Sequence, residues 1–208
     1  MNTTVISTVG ECESPSCAAF GRRLYHQLKE YNPCSVLSVP LFTEGYLGQH
    51  RTLRKRADRA ERRGYVFGTA NMRNYADDMY AINTSMEERQ GRRMAEPYWT
   101  APTDTRLPDF DCERHCIIRY GVFNPEGDRL LAYLELYRSN SLRLVSRVLG
   151  HGDYLEDEIM WLLFRGTILA QHVYGGQVVY NRHDSGTDGL RWFKERVGFQ
   201  PMRVAWAL

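Results

Sequence analysis

A glycine pair set between a strand and a helix constrains this chain more than any other feature. Arg147-Val148-Leu149-Gly150-His151-Gly152 ends a β-type run, Ser141 to Leu149, and precedes an apolar helical pattern from about Tyr154 to His172. Two glycines one residue apart let backbone N–H groups turn toward a ligand without Cβ interference. The positive end of a following helix dipole suits such a loop to a phosphate. Asp153, Glu156, Asp157 and Glu158 crowd the first turns of that helix. They complement its dipole, but they also oppose a bound diphosphate.

The elements around the loop are ordered. Cys116 to Phe123 and Arg129 to Tyr137 read as a hairpin across the turn Asn124-Pro125-Glu126-Gly127-Asp128. Ser139-Asn140-Ser141 turns into the third strand. A strand over Gln177 to Asn181 and a helix closing on Val197-Gly198-Phe199 follow. The pattern predicts β-β-β-α-β-α-β, an α/β (α+β) fold with a mixed, mostly antiparallel central sheet flanked by helices.

Upstream, Thr3 to Val9 reads as a strand and Pro15 to about Tyr31 as a helix, with Ser14 as N-cap and Pro15 at the first helical position. Ser35 to Phe42 and Tyr65 to Gly68 read as strands. Leu53, Ala57, Ala60 and Gly64 recur at helical spacing, so the segment between them is an amphipathic helix with a narrow apolar edge. A further helix over Asn74 to Asn83 turns Tyr75, Met79 and Ile82 to the core. Ser85-Met86-Glu87-Glu88 has capping-box spacing for another helical turn, and Pro97 to Pro108 is a loop.

At 208 residues the chain is expected to form one domain, with a helical acceptor-side half (1–110) and a donor-binding half (111–208). No window approaches the roughly 18 apolar residues that span a bilayer, so no membrane span is expected. Met1 to Gly10 has neither a basic leader nor a long apolar core. Five cysteines, an odd and sparse set, suit a reducing compartment. A cytoplasmic protein is the expectation. The net charge of +2 is uninformative, but Arg51 to Arg63 carries seven basic residues against Asp58 and Glu61. That segment is either a solvated helix face or a site for tRNA or another nucleic acid. Asp58 and Glu61 have the spacing to pair within it.

Strand, glycine loop, helix, strand, helix and a final Gly-Phe turn resemble the GNAT acyltransferases. The resemblance implies that the strand before the loop splays from its neighbour and that donor and amine acceptor meet in the gap. Leu144, Val145, Ser146 and Arg147 would lie along an acyl-CoA (acetyl-CoA) donor, with Arg147, Gly150, His151 and Gly152 about its phosphates and Asn181 on its amide. It also implies a carboxylate base on the second hairpin strand, where Glu135 stands beside Tyr133 and Tyr137 on one face. Many GNAT enzymes keep a tyrosine four residues before the Gly-Phe as acid toward the thiolate; here Lys194 stands there. Lys194 or His183 is then expected to assist the leaving group.

Gly189-Leu190-Arg191-Trp192-Phe193-Lys194, the basic helix ending at Gly64, and Tyr75 to Tyr80 followed by Arg89-Gln90-Gly91-Arg92 are similar to the Fem-type aminoacyltransferase branch. That likeness implies aminoacyl-tRNA as an alternative donor. The missing tyrosine leaves a third reading, a catalytically silent module that binds nucleic acid or protein. Arg89, Arg92 and Arg93 with Tyr98 and Trp99 form a pocket-like mixture, since guanidinium forks hold carboxylates or phosphates at two points. Asn83 and Ser85 are candidates for the same pocket. Taken together, the expectation is an N-acyltransferase acting on a small-molecule or peptide amine. No metal is expected: Cys112-x-x-x-Cys116 with His115 between has no second pair at zinc spacing, and Cys12, Cys17 and Cys34 could complete it only through folding.

Overall fold

The computed structural model describes residues 2–8, 12–40, 42–102, 110, 112 and 114–208. Its strands are β1 (Thr3–Ser7), β2 (Cys34–Ser38), β3 (Val66–Thr69), β4 (Glu88–Arg89), β5 (Arg92–Arg93), β6 (His115–Phe123), β7 (Leu130–Ser139), β8 (Leu142–Gly150), β9 (Gln177–Arg182) and β10 (Gln200–Ala207). Its α-helices are α1 (Pro15–Leu28), α2 (Thr43–Gln49), α3 (Arg51–Arg62), α4 (Ala76–Thr84), α5 (Ile159–Gln171) and α6 (Asp188–Val197). Eight strands form one sheet in the order β1-β10-β2-β9-β8-β7-β6-β3, parallel only at β1/β10 and β8/β9.

Strand alternation distributes the core. On β7, Leu134 and Leu136 pack with Leu53, Ala57 and Ala60 of α3 and with Leu162 and Leu163 of α5. Tyr133 and Tyr137 face the opposite side. There Tyr133 packs with Met79 and Ile82 of α4, and Tyr137 with Leu24 and Leu28 of α1. Between those two clusters the same face carries Glu135.

The strand and helix order follows the hydrophobic pattern, with four departures. Arg89-Gln90-Gly91-Arg92 closes a two-stranded hairpin, because Gln90 and Gly91 both have positive φ, 54° and 73°, the requirement of a tight hairpin turn. The helical turn expected from Ser85 to Glu88 is therefore absent. Ser85 ends α4 and donates to the Ile82 carbonyl at 2.8 Å. The helix expected from Tyr154 begins only at Ile159; a 3₁₀ stretch, Gly152–Asp157, precedes it, and Glu158 between them sits at φ 70°. The strand expected to reach Phe42 stops at Ser38, and α2 follows unannounced by any strong periodicity. The expected Pro97–Pro108 loop opens with a 3₁₀ turn at Glu96–Trp99, and positions 103–109 lie outside the described residues.

Candidate functional site: a basic cleft between two splayed strands

β8 and β9 start as a parallel pair, but only Leu142, Arg143 and Leu144 have partners, and the strands then part. Each lip carries an extra residue. On β8, Arg147 stands opposite Glu135 and Val145 opposite Leu136, leaving Ser146 as the bulge. On β9 the pairing with β2 jumps from Val179 to Arg182, with Asn181 at φ 55°. Bulges bend the strands that carry them. The gap opens into a cavity of about 710 Å³, walled by Val145 to Leu149, by Tyr180 and Asn181, and by Leu24 and Leu28 of α1. The β4–β5 hairpin and Tyr98 complete it.

Four arginines, Arg89, Arg92, Arg93 and Arg147, line this cleft, and no carboxylate is among its described lining residues. Such a surface suits an anionic ligand, carboxylate or phosphate. A second cavity of about 220 Å³, walled by Leu155, Met160, Phe164, Leu190 and Phe193, adjoins it and shares Arg89, Gln90, Val148, Leu149 and Tyr180.

Arg89 holds the junction together. Its guanidinium donates to the Gly150 carbonyl, the Ile82 carbonyl and the Ser85 hydroxyl, at 2.8, 2.8 and 2.9 Å. Its Nε is buried with no hydrogen-bond partner among the described residues. A buried donor of this kind is costly unless a ligand satisfies it. Arg147 is half-exposed, with its guanidinium 5.7 Å from the centre of the Tyr98 ring.

Glu135 lies beneath the cleft, clamped across three strands. Arg119 Nε contacts one carboxylate oxygen at 2.8 Å and Arg147 Nε the other at 3.4 Å. Registry sets this clamp, since Arg119, Glu135 and Arg147 are direct cross-strand neighbours.

The glycine loop is engaged within the protein. His151 N–H donates to the Leu131 carbonyl at 2.8 Å, Gly152 N–H to the Ser85 hydroxyl at 2.9 Å, and Asp153 N–H to His151 Nδ1 at 3.4 Å. Gly152 is required for close packing: a Cβ there would stand 2.8 Å from Met86 Cγ and 3.1 Å from the Ser85 carbonyl oxygen. The acids beyond the loop meet α3. Glu158 pairs with Arg56 at 3.0 Å and Arg59 at 3.7 Å, and Asp157 pairs with Arg63 and accepts from Tyr65. Asp58 and Glu61, expected to pair inside their own helix, both reach across to Arg165 of α5.

Several residues singled out in the sequence stand outside the cleft lining. Lys194 is fully buried. Its Nζ donates to the Arg182 carbonyl at 2.6 Å, and burial lowers its pKa to about 8. His183 is buried against Ser35, with Nδ1 3.1 Å from the hydroxyl; burial, then the nearby Lys194 charge, lowers its pKa. Asn83 accepts from the buried Tyr133 hydroxyl at 2.7 Å, and Trp99 donates to the Met94 carbonyl at 3.2 Å. Val145, Arg147, Asn181, Arg89, Arg92 and Tyr98 do come together in the lining. Arg93, expected in the same pocket, also lines it, and the hairpin turn adds Gln90.

No protein-family model and no curated protein sequence matches this chain. Solved structures do. The C-terminal domain (DUF2156) of a protein assigned as a lysylphosphatidylglycerol synthetase, from Agrobacterium fabrum, aligns over 82% of this chain and 58% of its own, at 14% identity and TM-score 0.54. L-PGS from Bacillus licheniformis aligns over 86% of this chain and 61% of its own, at 15% identity and TM-score 0.49. A GCN5-related N-acetyltransferase from Kribbella flavida aligns over 82% and 54%, at 11% identity and TM-score 0.42. The chain thus spans less than two thirds of each of these structures. At such identities the likeness is one of fold, and this chain shares that of the synthetase domain: a mixed, mostly antiparallel sheet flanked by helices, which here parts at β8 and β9.

Proposed function

We propose that the chain is an acyltransferase whose two substrates meet between β8 and β9, and that its donor is aminoacyl-tRNA. The observation that carries this reading is the cleft itself, lined by four arginines and no described carboxylate, beside a glycine loop whose N–H groups are already bonded. A CoA diphosphate would have to displace those bonds next to Asp153. The 3′ end of a tRNA needs only the arginines. The synthetase-domain likeness supports aminoacyl transfer as the chemistry, and the Fem-type sequence likeness supports the same donor.

In this reading the acceptor nucleophile attacks the ester carbonyl, the bond to the ribose oxygen breaks, and that oxygen leaves with a proton. Alignment of the two substrates supplies most of the rate. The β8 edge facing β9 has no ladder partner among the described residues beyond Leu144, so its N–H groups can serve the developing oxyanion. Arg147, the longer and more exposed of the two contacts to Glu135, turns to a donor phosphate. Glu135 is then free on that side to take the acceptor's proton.

An acyl-CoA donor is the second reading, favoured by the apolar cavity beside Gly150. Bulk tRNA charged with labelled amino acids, and acetyl-CoA in parallel, distinguish the two. Faster loss of label from tRNA, steeply salt-dependent and reduced at least about tenfold in Arg147→Ala, is the expected result. Saturable stabilisation by CoA species with no effect on charged tRNA would replace it with the acyl-CoA reading. Turnover of neither donor would leave a binding module.

A further inference from the structure

The cysteines that the sequence leaves scattered are assembled by the fold. Cys12 lies just before α1, Cys17 lies in its first turn, Cys112 precedes β6, and His115 begins it. The sulfurs of Cys12 and Cys17 stand 3.4 and 3.2 Å from that of Cys112, across sequence separations of 100 and 95 residues. Cys112 Sγ is 3.1 Å from His115 Nδ1, and all four ligand atoms lie within 4.8 Å of one another. A tetrahedron with metal–sulfur bonds of about 2.3 Å has sulfurs about 3.8 Å apart. The observed spacings need only a few tenths of an ångström of expansion.

Three further observations point to a ligand set. His115 is buried, and its far nitrogen, Nε2, lies 2.8 Å from the Ser139 hydroxyl. That bond presents Nδ1 toward the sulfurs, the outer-shell arrangement that orients metal-binding imidazoles. Registry places Ser139 directly opposite His115. Phe20, Phe110 and Tyr137 form an aromatic wall, Phe110 being 6.1 Å from the His115 ring. Contrary to the expectation from sequence, a second pair at zinc-ligand spacing is present, Cys12-x-x-x-x-Cys17, and it meets Cys112-x-x-His115. The motif visible in the sequence, Cys112-x-x-x-Cys116, is not the one used, because Cys116 follows His115 on β6 and faces the other side.

We propose that Cys12, Cys17, Cys112 and His115 form a structural zinc site that fastens the start of α1 to the start of β6. Three thiols lose their protons to solvent on binding, the imidazole stays neutral, and the four ligands close the coordination sphere. No position remains for substrate, so the role is architectural. The site sits at the base of α1, whose Leu24 and Leu28 wall the cleft, and of β6, whose Arg119 holds Glu135.

The test uses the full chain purified without chelator. Cys34 and Cys116 lie outside the cluster, so Cys34→Ser/Cys116→Ser leaves only the three proposed sulfur ligands. Elemental analysis should find one zinc per chain in both the native protein and this double variant. Cobalt replacement in the double variant should give thiolate charge-transfer bands and tetrahedral visible bands. X-ray absorption should show three sulfurs and one nitrogen. Cys112→Ser should lose the metal, Ser139→Ala should weaken zinc affinity about 10–100-fold, and chelation should lower the melting temperature reversibly. A double variant that folds but binds neither zinc nor cobalt overturns the proposal. So does a native protein whose cluster cysteines are joined in a disulfide. If Cys112→Ser is insoluble, the cobalt spectrum of the double variant decides alone.

Discussion

Two arginine-rich stretches of this chain look alike on paper and behave differently in the fold. On α3, Arg56 and Arg59 share Glu158, and the flanking Arg63 takes Asp157. Arg165 returns the favour from α5 by holding Asp58 and Glu61. The result is a latticework of ion pairs fastening α3 to α5. Arg89, Arg92 and Arg93, in and beside the hairpin turn, meet no described carboxylate in the cleft they line. A count of positive charges therefore says little about binding. The position of the opposite charges decides whether a cation builds the protein or serves a ligand.

The largest effect is expected where the cleft and the framework meet. Glu135→Ala removes the buried carboxylate that Arg119 and Arg147 both contact and should cost about 3 kcal/mol in urea denaturation. A loss below about 1 kcal/mol would show that Glu135 does not anchor Arg119 and Arg147. Next, Arg165→Ala should destabilise by about 2 kcal/mol, discounted because Asp58 and Glu61 are themselves half-exposed. It should leave donor affinity unchanged. Arg56→Ala removes the Glu158 contact and the guanidinium's approach to the Trp161 and Trp192 rings at 5.1 and 5.5 Å, and about 1 kcal/mol is expected. Smallest of these in stability, Arg92→Ala and Arg54→Ala should each fall within about 0.5 kcal/mol of the parent. They separate by function: Arg92→Ala should weaken tRNA binding measurably in a filter assay at low salt, and more than Arg54→Ala does. Equal weakening would return α3 to the nucleic-acid interface.

Lys194 supplies a test by pH. Its folded pKa, about 8, lies below the ordinary 10.5, so burial disfavours its charged form. Between those values the unfolded chain holds more protons on this group, so its contribution makes stability rise with pH across that window. Below about pH 8 the cost of burying the ammonium is constant. Lys194→Met should flatten the rise, read from melting temperatures between pH 7.5 and pH 10.5. An unchanged slope would place the titration elsewhere.

The repeating elements were legible in the sequence. Leu53, Ala57 and Ala60 announced the buried edge of α3, and alternation along β7 put Glu135 on the face of Tyr133 and Tyr137. Splaying at β8 was anticipated through the family resemblance, and the lip residues Val145, Arg147 and Asn181 do line the cleft. Less visible were features set by single backbone conformations. The hairpin at Gln90-Gly91 depends on two successive positive φ angles, which hydrophobic periodicity does not mark, while the capping-box spacing at Ser85 pointed to a helix. Glu158 interrupted a helix whose apolar pattern ran straight through it, held by arginines about a hundred residues earlier in the chain.

Local periodicity and composition are properties of neighbouring residues, so the sequence by itself determined the order of the longer strands and helices, the two-sided core and the concentration of basic residues, but not α2 or the β4–β5 hairpin. Partnerships across the chain are set by packing, and only the tertiary structure decided them. It turned α3's charges onto α5, left the hairpin arginines to the cleft and engaged the glycine-loop amides within the protein. It also drew Cys12 and Cys17 to Cys112 and His115. A side chain's chemistry is written at its own position, but what that chemistry can act on depends on which distant atoms the fold brings within a few ångströms of it.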